Sequence, residues 1–181
     1  MPELRIIFFC LLFCISTFLT QQTVYSATPL ETEYKVKAIM LSKISKFVRW
    51  PNTTKKTLDI CTLGENLFGA ALNAIVGVKV NDKSIQIHRK IEIDGVLMCD
   101  MVFISATEKS QLLEILTKLK PHQILTVSDN PEFARLGGML NMVIINKKIR
   151  FQVNLKTAKD SGIDFSARFL SIATQIKTGE D

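Results

Sequence analysis

Two short runs in this 181-residue chain come nearest to a catalytic signature: Ser128-Asp129-Asn130 and Lys177-Thr178-Gly179 match two of the three motifs of penicillin-recognising enzymes. The third motif is missing, because no lysine has a serine three residues before it, so there is no Ser-x-x-Lys nucleophile. Gly64 and Gly69 stand five apart as in a phosphate loop, but Ala70 and Ala71 follow where a lysine would meet a phosphate. There is no Gly-x-Ser-x-Gly elbow, and Glu92, Asp94 and Asp100 are not spaced for paired acid and base roles. His88 and His122 are distant from each other and form no zinc spacing with the cysteines. These residues predict a protein that is not an enzyme and holds no metal or cofactor.

What remains is Ser128-Asp129 itself, within Leu125 to Met139, LTVSDNPEFARLGGM. Leu125-Thr126-Val127 favours a strand, and Ser128 to Pro131 stops it with turn chemistry. Ser128 or Asp129 is expected to cap a short helix through Arg135, which Gly137-Gly138 ends before a strand begins at Met139. A strand end facing a helix start is where sites lie in α/β sheets, so the pair reads either as caps or as the mouth of a ligand site. The sequence places no lysine or arginine clamp beside it.

Met1 to Ser26 is read as a secretory signal: Arg5, an uncharged apolar run of 14 residues from Ile6 to Leu19, and Val24-Tyr25-Ser26 before Ala27. At about 1.5 Å per residue such a run falls short of a bilayer core of about 30 Å. Phe13 before Cys14 argues against a lipoprotein signal. Cleavage after Ser26 leaves one domain, residues 27–181, and removes Cys10 and Cys14. Cys61 and Cys99 remain, most simply as a disulfide in an oxidising compartment; two buried thiols or a redox-responsive pair are the alternatives. The net charge is +6, and removing Glu3 and Arg5 leaves it unchanged. Export and the lack of interleaved aromatic and basic residues discount nucleic acid; an anionic membrane or an acidic protein face fits better.

The elements follow from periodicity. Glu31 to Trp50 predicts a helix with Val36, Ile39, Met40, Ile44, Phe47 and Val48 as its apolar stripe and Lys35, Ser42, Lys46 and Arg49 as a basic one, with Trp50 at its end as a core lid or an interface anchor. Pro51 stops it. Strands are expected at Thr57–Leu63, Lys83–Arg89 and Met101–Ser105, a loop and helix over 64–77, and a helix over Glu108–Leu119. His88 reads as a surface residue of its strand. Met139–Ile145 and Lys148–Val153 form a β-hairpin, with Asn146 suited to positive φ. Asn154 caps a short helix that Gly162 breaks, and Asp164 or Ser166 opens the last helix. The fold class is α/β: a single domain with a mixed sheet, helices on both faces, and a C-terminal hairpin plus helices.

These residues resemble the YfiR-like periplasmic regulators. The matching pieces are Lys46-Phe47-Val48-Arg49-Trp50-Pro51, Cys61-Thr62-Leu63-Gly64 with Phe68-Gly69, Cys99 before Val102-Phe103-Ile104, and Leu125-Thr126-Val127-Ser128-Asp129. Phe133-Ala134, Gly137-Gly138-Met139, Phe151 with Asn154, and Gly162 with Phe165-Ser166-Ala167 continue the match from about Glu33 to Ile176. The resemblance implies an exported homodimer that represses an inner-membrane diguanylate cyclase of the YfiN type, lowers cyclic di-GMP signalling and so biofilm, and is drawn away by a YfiB-type lipoprotein. The candidate partner or ligand surface is then Lys46, Arg49, Trp50, Ser128, Asp129 and Phe165. The alternative is a periplasmic small-ligand-binding sensor. Ser42 and Lys43 depart from the family pattern towards a more basic helix, and Arg135 and Met142 stand near the places of a second cysteine pair that some members carry.

Overall fold

A sheet covered on both faces needs strands that are apolar at every position rather than at alternate ones. Leu58 to Leu63 of β2 (Thr57–Leu63) and all of β5 (Met101–Ile104) and β6 (Leu125–Ser128) are buried, β5 with apolar residues throughout and β2 and β6 with Asp59, Thr62, Thr126 and Ser128 among them. The structure, a computed structural model, describes residues 28–50, 54–89, 92–105 and 109–177, with backbone alone over 175–177. The segment Met1–Ser26, Pro51 and Thr178-Gly179 lie outside the described residues.

In chain order, helix α1 (Pro29–Ser45) leads to β1 (Val48–Arg49), then β2, β3 (Lys79–Val80), β4 (Lys83–His88) and β5. Helix α2 (Lys109–Leu119) precedes β6, β7 (Leu140–Ile145) and β8 (Lys148–Asn154). Helix α3 (Leu155–Asp160), β9 (Asp164–Phe165), α4 (Ala167–Leu170) and β10 (Gln175–Lys177) complete it. Short 3-10 turns at Ala71–Ile75 and Ile93–Met98 pack against the sheet. The main sheet runs β10-β8-β7-β6-β5-β2-β4-β3, and β1 pairs with β9 as a separate antiparallel ribbon. Strands β4, β2, β5, β6 and β7 are parallel neighbours, whereas β3 is antiparallel to β4 and β8 to β7. Strand order reverses between β2 and β5, so the crevice beyond their carboxyl ends is the place where such sheets hold ligands.

Successive strand residues face opposite ways. Leu58, Ile60, Met101, Phe103, Leu125 and Val127 therefore meet Ala38, Leu41 and Ile44 of α1. Cys61, Leu63, Val102 and Ile104 meet Leu112, Leu116 and Leu119 of α2, with Phe133. Cys61 and Cys99 are disulfide-bonded in this second core, their Cα atoms 6.1 Å apart. The hairpin turns through Asn146 (φ 51°) and Lys147 (φ 59°), as two positive-φ residues must for its twist to match the strands. The α/β class, the mixed sheet and helices on both faces agree with the sequence.

Five local expectations change. Helix α1 starts earlier, because Thr28 and Glu31 form a reciprocal capping box at 3.2 Å and Pro29 suits the first helical position. It also ends at Ser45, since the chain must turn for Val48 and Arg49 to pair with Phe165 and Asp164. Its buried residues are Tyr34, Lys37, Ala38, Leu41, Ser42, Ile44 and Ser45, so Ile44 of the expected apolar stripe faces inward while Val36 and Ile39 are exposed, and Ser42 of the expected basic stripe is buried. Tyr34 sets that phase by packing edge-on against Phe68, which packs on Phe103.

The stretch after β6 is a chain of turns rather than a helix, because Asn130, not Ser128 or Asp129, caps it by accepting from the Glu132 amide at 2.9 Å. The last helix is a single turn capped by Ser166, and Gln175–Lys177 instead adds a parallel strand to β8, covering an otherwise unpaired edge.

Candidate functional site

Beyond β6 the carboxylate of Asp129 meets the first turns of α1. Tyr34 and Lys37 lie three apart on the helix, so both side chains reach the same point. The Tyr34 hydroxyl donates to Asp129 Oδ2 at 2.6 Å, and Lys37 Nζ donates to the same oxygen at 2.5 Å. Lys37 also pairs with Glu33 and lies over the Tyr34 ring, 4.4 Å from its centre. The Lys37 side chain is only 3% exposed and that of Asp129 10%. Burial pushes the Tyr34 phenol above its ordinary range; the hydrogen bond to Asp129 and the nearby Asp129, Glu33 and Glu65 carboxylates push it the same way.

Ser128 is fully buried: its Oγ donates to the Ile104 carbonyl at 2.7 Å and accepts from the Asn130 amide at 3.2 Å. A lysine clamp therefore does stand beside Ser128-Asp129, contrary to the sequence expectation. It comes from α1, 92 residues away, and no local spacing pointed to it.

A second polar cluster sits by the disulfide. Lys55 Nζ reaches Asp59 Oδ2 at 2.9 Å, Asp100 Oδ2 at 3.3 Å and the Met98 carbonyl at 3.0 Å. His88, expected at the surface, is half-buried with Nε2 2.9 Å from Asp59 Oδ1. Burial alone would raise the Asp59 pKa, but hydrogen bonds from Lys55, His88 and Thr57 outweigh it and hold the carboxyl below its ordinary value. Burial likewise opposes the charge of Lys55, and Asp59 and Asp100 outweigh it, holding the amine above its ordinary value. The cluster fixes Asp100, the residue after Cys99, against β2 through the Asp59 amide at 2.8 Å.

The third feature opens at the amino-terminal edge of the sheet. Lys46, Arg49 and Trp50, after α1, line a basin of about 770 Å³ together with Lys55, Lys56, Lys83 and Arg168; among the described residues Asp82 is the one carboxylate on its wall. Trp50 is held by its indole N–H donating to the Ser45 carbonyl at 3.0 Å. Arg168 lies over the Phe47 ring at 6.0 Å. Arg49 pairs with Asp164 at 3.4 Å, an exposed pair that contributes little.

Of the sequence candidates, Lys46, Arg49 and Trp50 come together here, and Asp129 and Ser128 lie at the other end of the strands. Phe165 is not at a surface: it is 2% exposed and stacks on Phe169 at 5.3 Å. Its register opposite Val48 places it in the core while its neighbour Ser166 reaches the basin.

Residues 34–174 match the YfiR/HmsC-like family. The chain belongs to that family. The YfiR/HmsC-like family is one of periplasmic regulators of cyclic di-GMP signalling, a regulatory rather than a catalytic group.

Two solved structures share the YfiR-like fold. One is the ABC domain in complex with L-Trp from Streptococcus pneumonia, with TM-score 0.52, 11% identity, and 77% of this chain and 60% of that chain covered. The other is a conserved domain protein from Vibrio cholerae O1 biovar eltor strain N16961, with TM-score 0.52, 10% identity, and coverage of 84% and 61%. The chain thus spans about 60% of the length of each. At these identities the likeness is one of fold.

Tyr34, Lys37, Lys55 and Asp59 were missed by motif reading. Tyr34 and Lys37 leave only the signal of a tyrosine and a lysine three apart in a helix, and Lys55 and Asp59 that of a lysine and an aspartate four apart, which exposed faces also show.

Proposed function

We propose that this chain is exported by its Met1–Ser26 segment and acts as a single domain, residues 27–181. It represses an inner-membrane diguanylate cyclase by docking on the cyclase's periplasmic part. The observation that carries this reading is the convergence of Lys46, Arg49 and Trp50 with Lys56 and Arg168 on one open basin. An acidic face of a partner complements it, and Trp50 offers a fixed aromatic anchor. The repressor binds the low-output state of the cyclase better than the active one and so shifts its population. A homodimer presents two such basins, and a lipoprotein that competes for them releases the cyclase.

The rival reading, a small-ligand sensor with its mouth at Ser128-Asp129, draws on the likeness to a domain solved with L-Trp. Against it, the acceptor oxygen of Asp129 already takes bonds from Lys37 and Tyr34, so a ligand has to displace the chain's own groups.

Crosslinking capture from periplasm and inner membrane, with cellular cyclic di-GMP measured with and without the chain, tests the choice. Recovery of a membrane cyclase, cyclic di-GMP rising on deletion, and loss of both effects in a Lys46→Glu, Arg49→Glu, Arg168→Glu variant are expected. No membrane partner and unchanged cyclic di-GMP would refute repression.

A further inference from the structure

Strand β7 is longer than the strand it leans on. Ser128, the last residue of β6, pairs with Asn141, yet β7 continues to Ile145. On the other side β10 pairs β8 only over Gln152 to Asn154. Among the described residues, the distal part of the hairpin, Met142 to Phe151, therefore has no neighbouring strand at either edge. At about 3.3 Å per residue, it projects about 13 Å past the carboxyl edge of β6.

The composition of that projection is unusual for a free tip. Ile144 is 50% and Ile145 44% exposed. Adjacent strand residues face opposite ways, so each face of the ribbon carries one bare isoleucine at this level, while Ile149 is partly buried against the core. Ile144 lies across from Ile149, and Ile145 across from Lys148. Lys147, Lys148 and Arg150 are exposed at the same level. From Phe133 to Lys159 the chain holds no Asp or Glu, so the arm has cations and no neutralising acids of its own.

A protein partner laid on one face of a two-stranded ribbon leaves the other face bare. A bilayer interface surrounds the tip: isoleucines on both faces enter the acyl boundary while lysine and arginine stems reach back to the headgroups. The cations select anionic headgroups. We propose that the β7–β8 hairpin is an arm that seats its Ile144-Ile145 tip in an anionic phospholipid surface.

Flotation with phosphatidylcholine vesicles, with and without phosphatidylglycerol, tests this on the protein as it accumulates in the producing cell. Flotation with phosphatidylglycerol vesicles, weakened by salt, is expected. Ile144→Ser with Ile145→Ser should abolish it, and Lys147→Gln with Lys148→Gln should lower partitioning about thirtyfold. Lys46→Gln with Arg49→Gln, in the basin, should leave it unchanged. All these sites are exposed, so an unchanged melting temperature identifies a folded variant. Absence of flotation, or flotation that survives the arm substitutions, overturns the proposal. So does a dimer that the isoleucine pair converts to monomer without any vesicle binding, which would assign the arm to a second copy of the chain.

Discussion

Lys37 Nζ and Asp129 Oδ2 lie 2.5 Å apart in a site where the two side chains are 3% and 10% exposed, joining α1 to the end of β6 across 92 residues. The pair closes the strand-end crevice from within, with Tyr34 as a second donor. A buried charge costs little only while its partner is present. Lys37→Met should therefore destabilise by about 3–5 kcal/mol, and Lys37→Met with Asp129→Leu by much less than the sum of the single changes. Denaturant unfolding of the four proteins measures the coupling; additive losses would show that the two groups do not interact.

Tyr34 carries a pH prediction with a definite sign. Its folded-state pKa lies above the ordinary value of 10.0, so the folded state retains a proton that the unfolded chain gives up near pH 10. The stability it contributes is complete below about pH 10 and is lost as pH rises above it. Tyr34→Phe should cost about 1.5–3 kcal/mol at neutral pH, as a hydrogen bond to a charged group does, and the gap from the native chain should narrow above about pH 10. Ultraviolet titration should show Tyr34 ionising only as the chain unfolds. Phenolate formation by Tyr34 in the folded state near pH 10 would contradict this.

The disulfide joins residues 38 apart in sequence. Loop-closure entropy assigns it about 4 kcal/mol. Cys61→Ser, Cys99→Ser and the double change should each cost about that amount, because breaking one bond twice costs no more than breaking it once. Equilibrium unfolding under oxidising conditions reads this directly, and a double change costing twice a single one would argue that the sulfurs contribute separately.

Gly138 has no room for a side chain. A Cβ there would stand 2.2 Å from the ring of Phe133, which is fully buried in the α2-side core. Gly138→Ala should destabilise by about 1–3 kcal/mol through overpacking. In a Phe133→Leu background the same change should cost less, and thermal melts of the four proteins measure the relief. An equal cost in both backgrounds would point to the backbone rather than the ring.

The sequence by itself determined what depends on neighbours a few residues away. Alternation over Thr57–Leu63 announced a strand and the continuous apolar run from Met101 a buried one, Asn146 announced the hairpin turn, Asn154 and Ser166 their caps, and two mature cysteines a single bond. Each rests on a backbone preference or a short period that local chemistry sets. Only the tertiary structure decided which face of α1 turns inward, because Val36-Ile39-Met40 and Tyr34-Ala38-Leu41 each fall on one helical face, and packing on Phe68 chooses between them. It alone also paired Lys37 with Asp129, drew Gln175–Lys177 onto β8, buried Phe165 and gathered Lys46, Arg49 and Trp50 with Arg168. The physical reason is the same in each case. A charge, a strand edge or an aromatic ring is satisfied by whichever partner the folded chain brings within a few ångströms, and separation along the sequence carries no record of that distance.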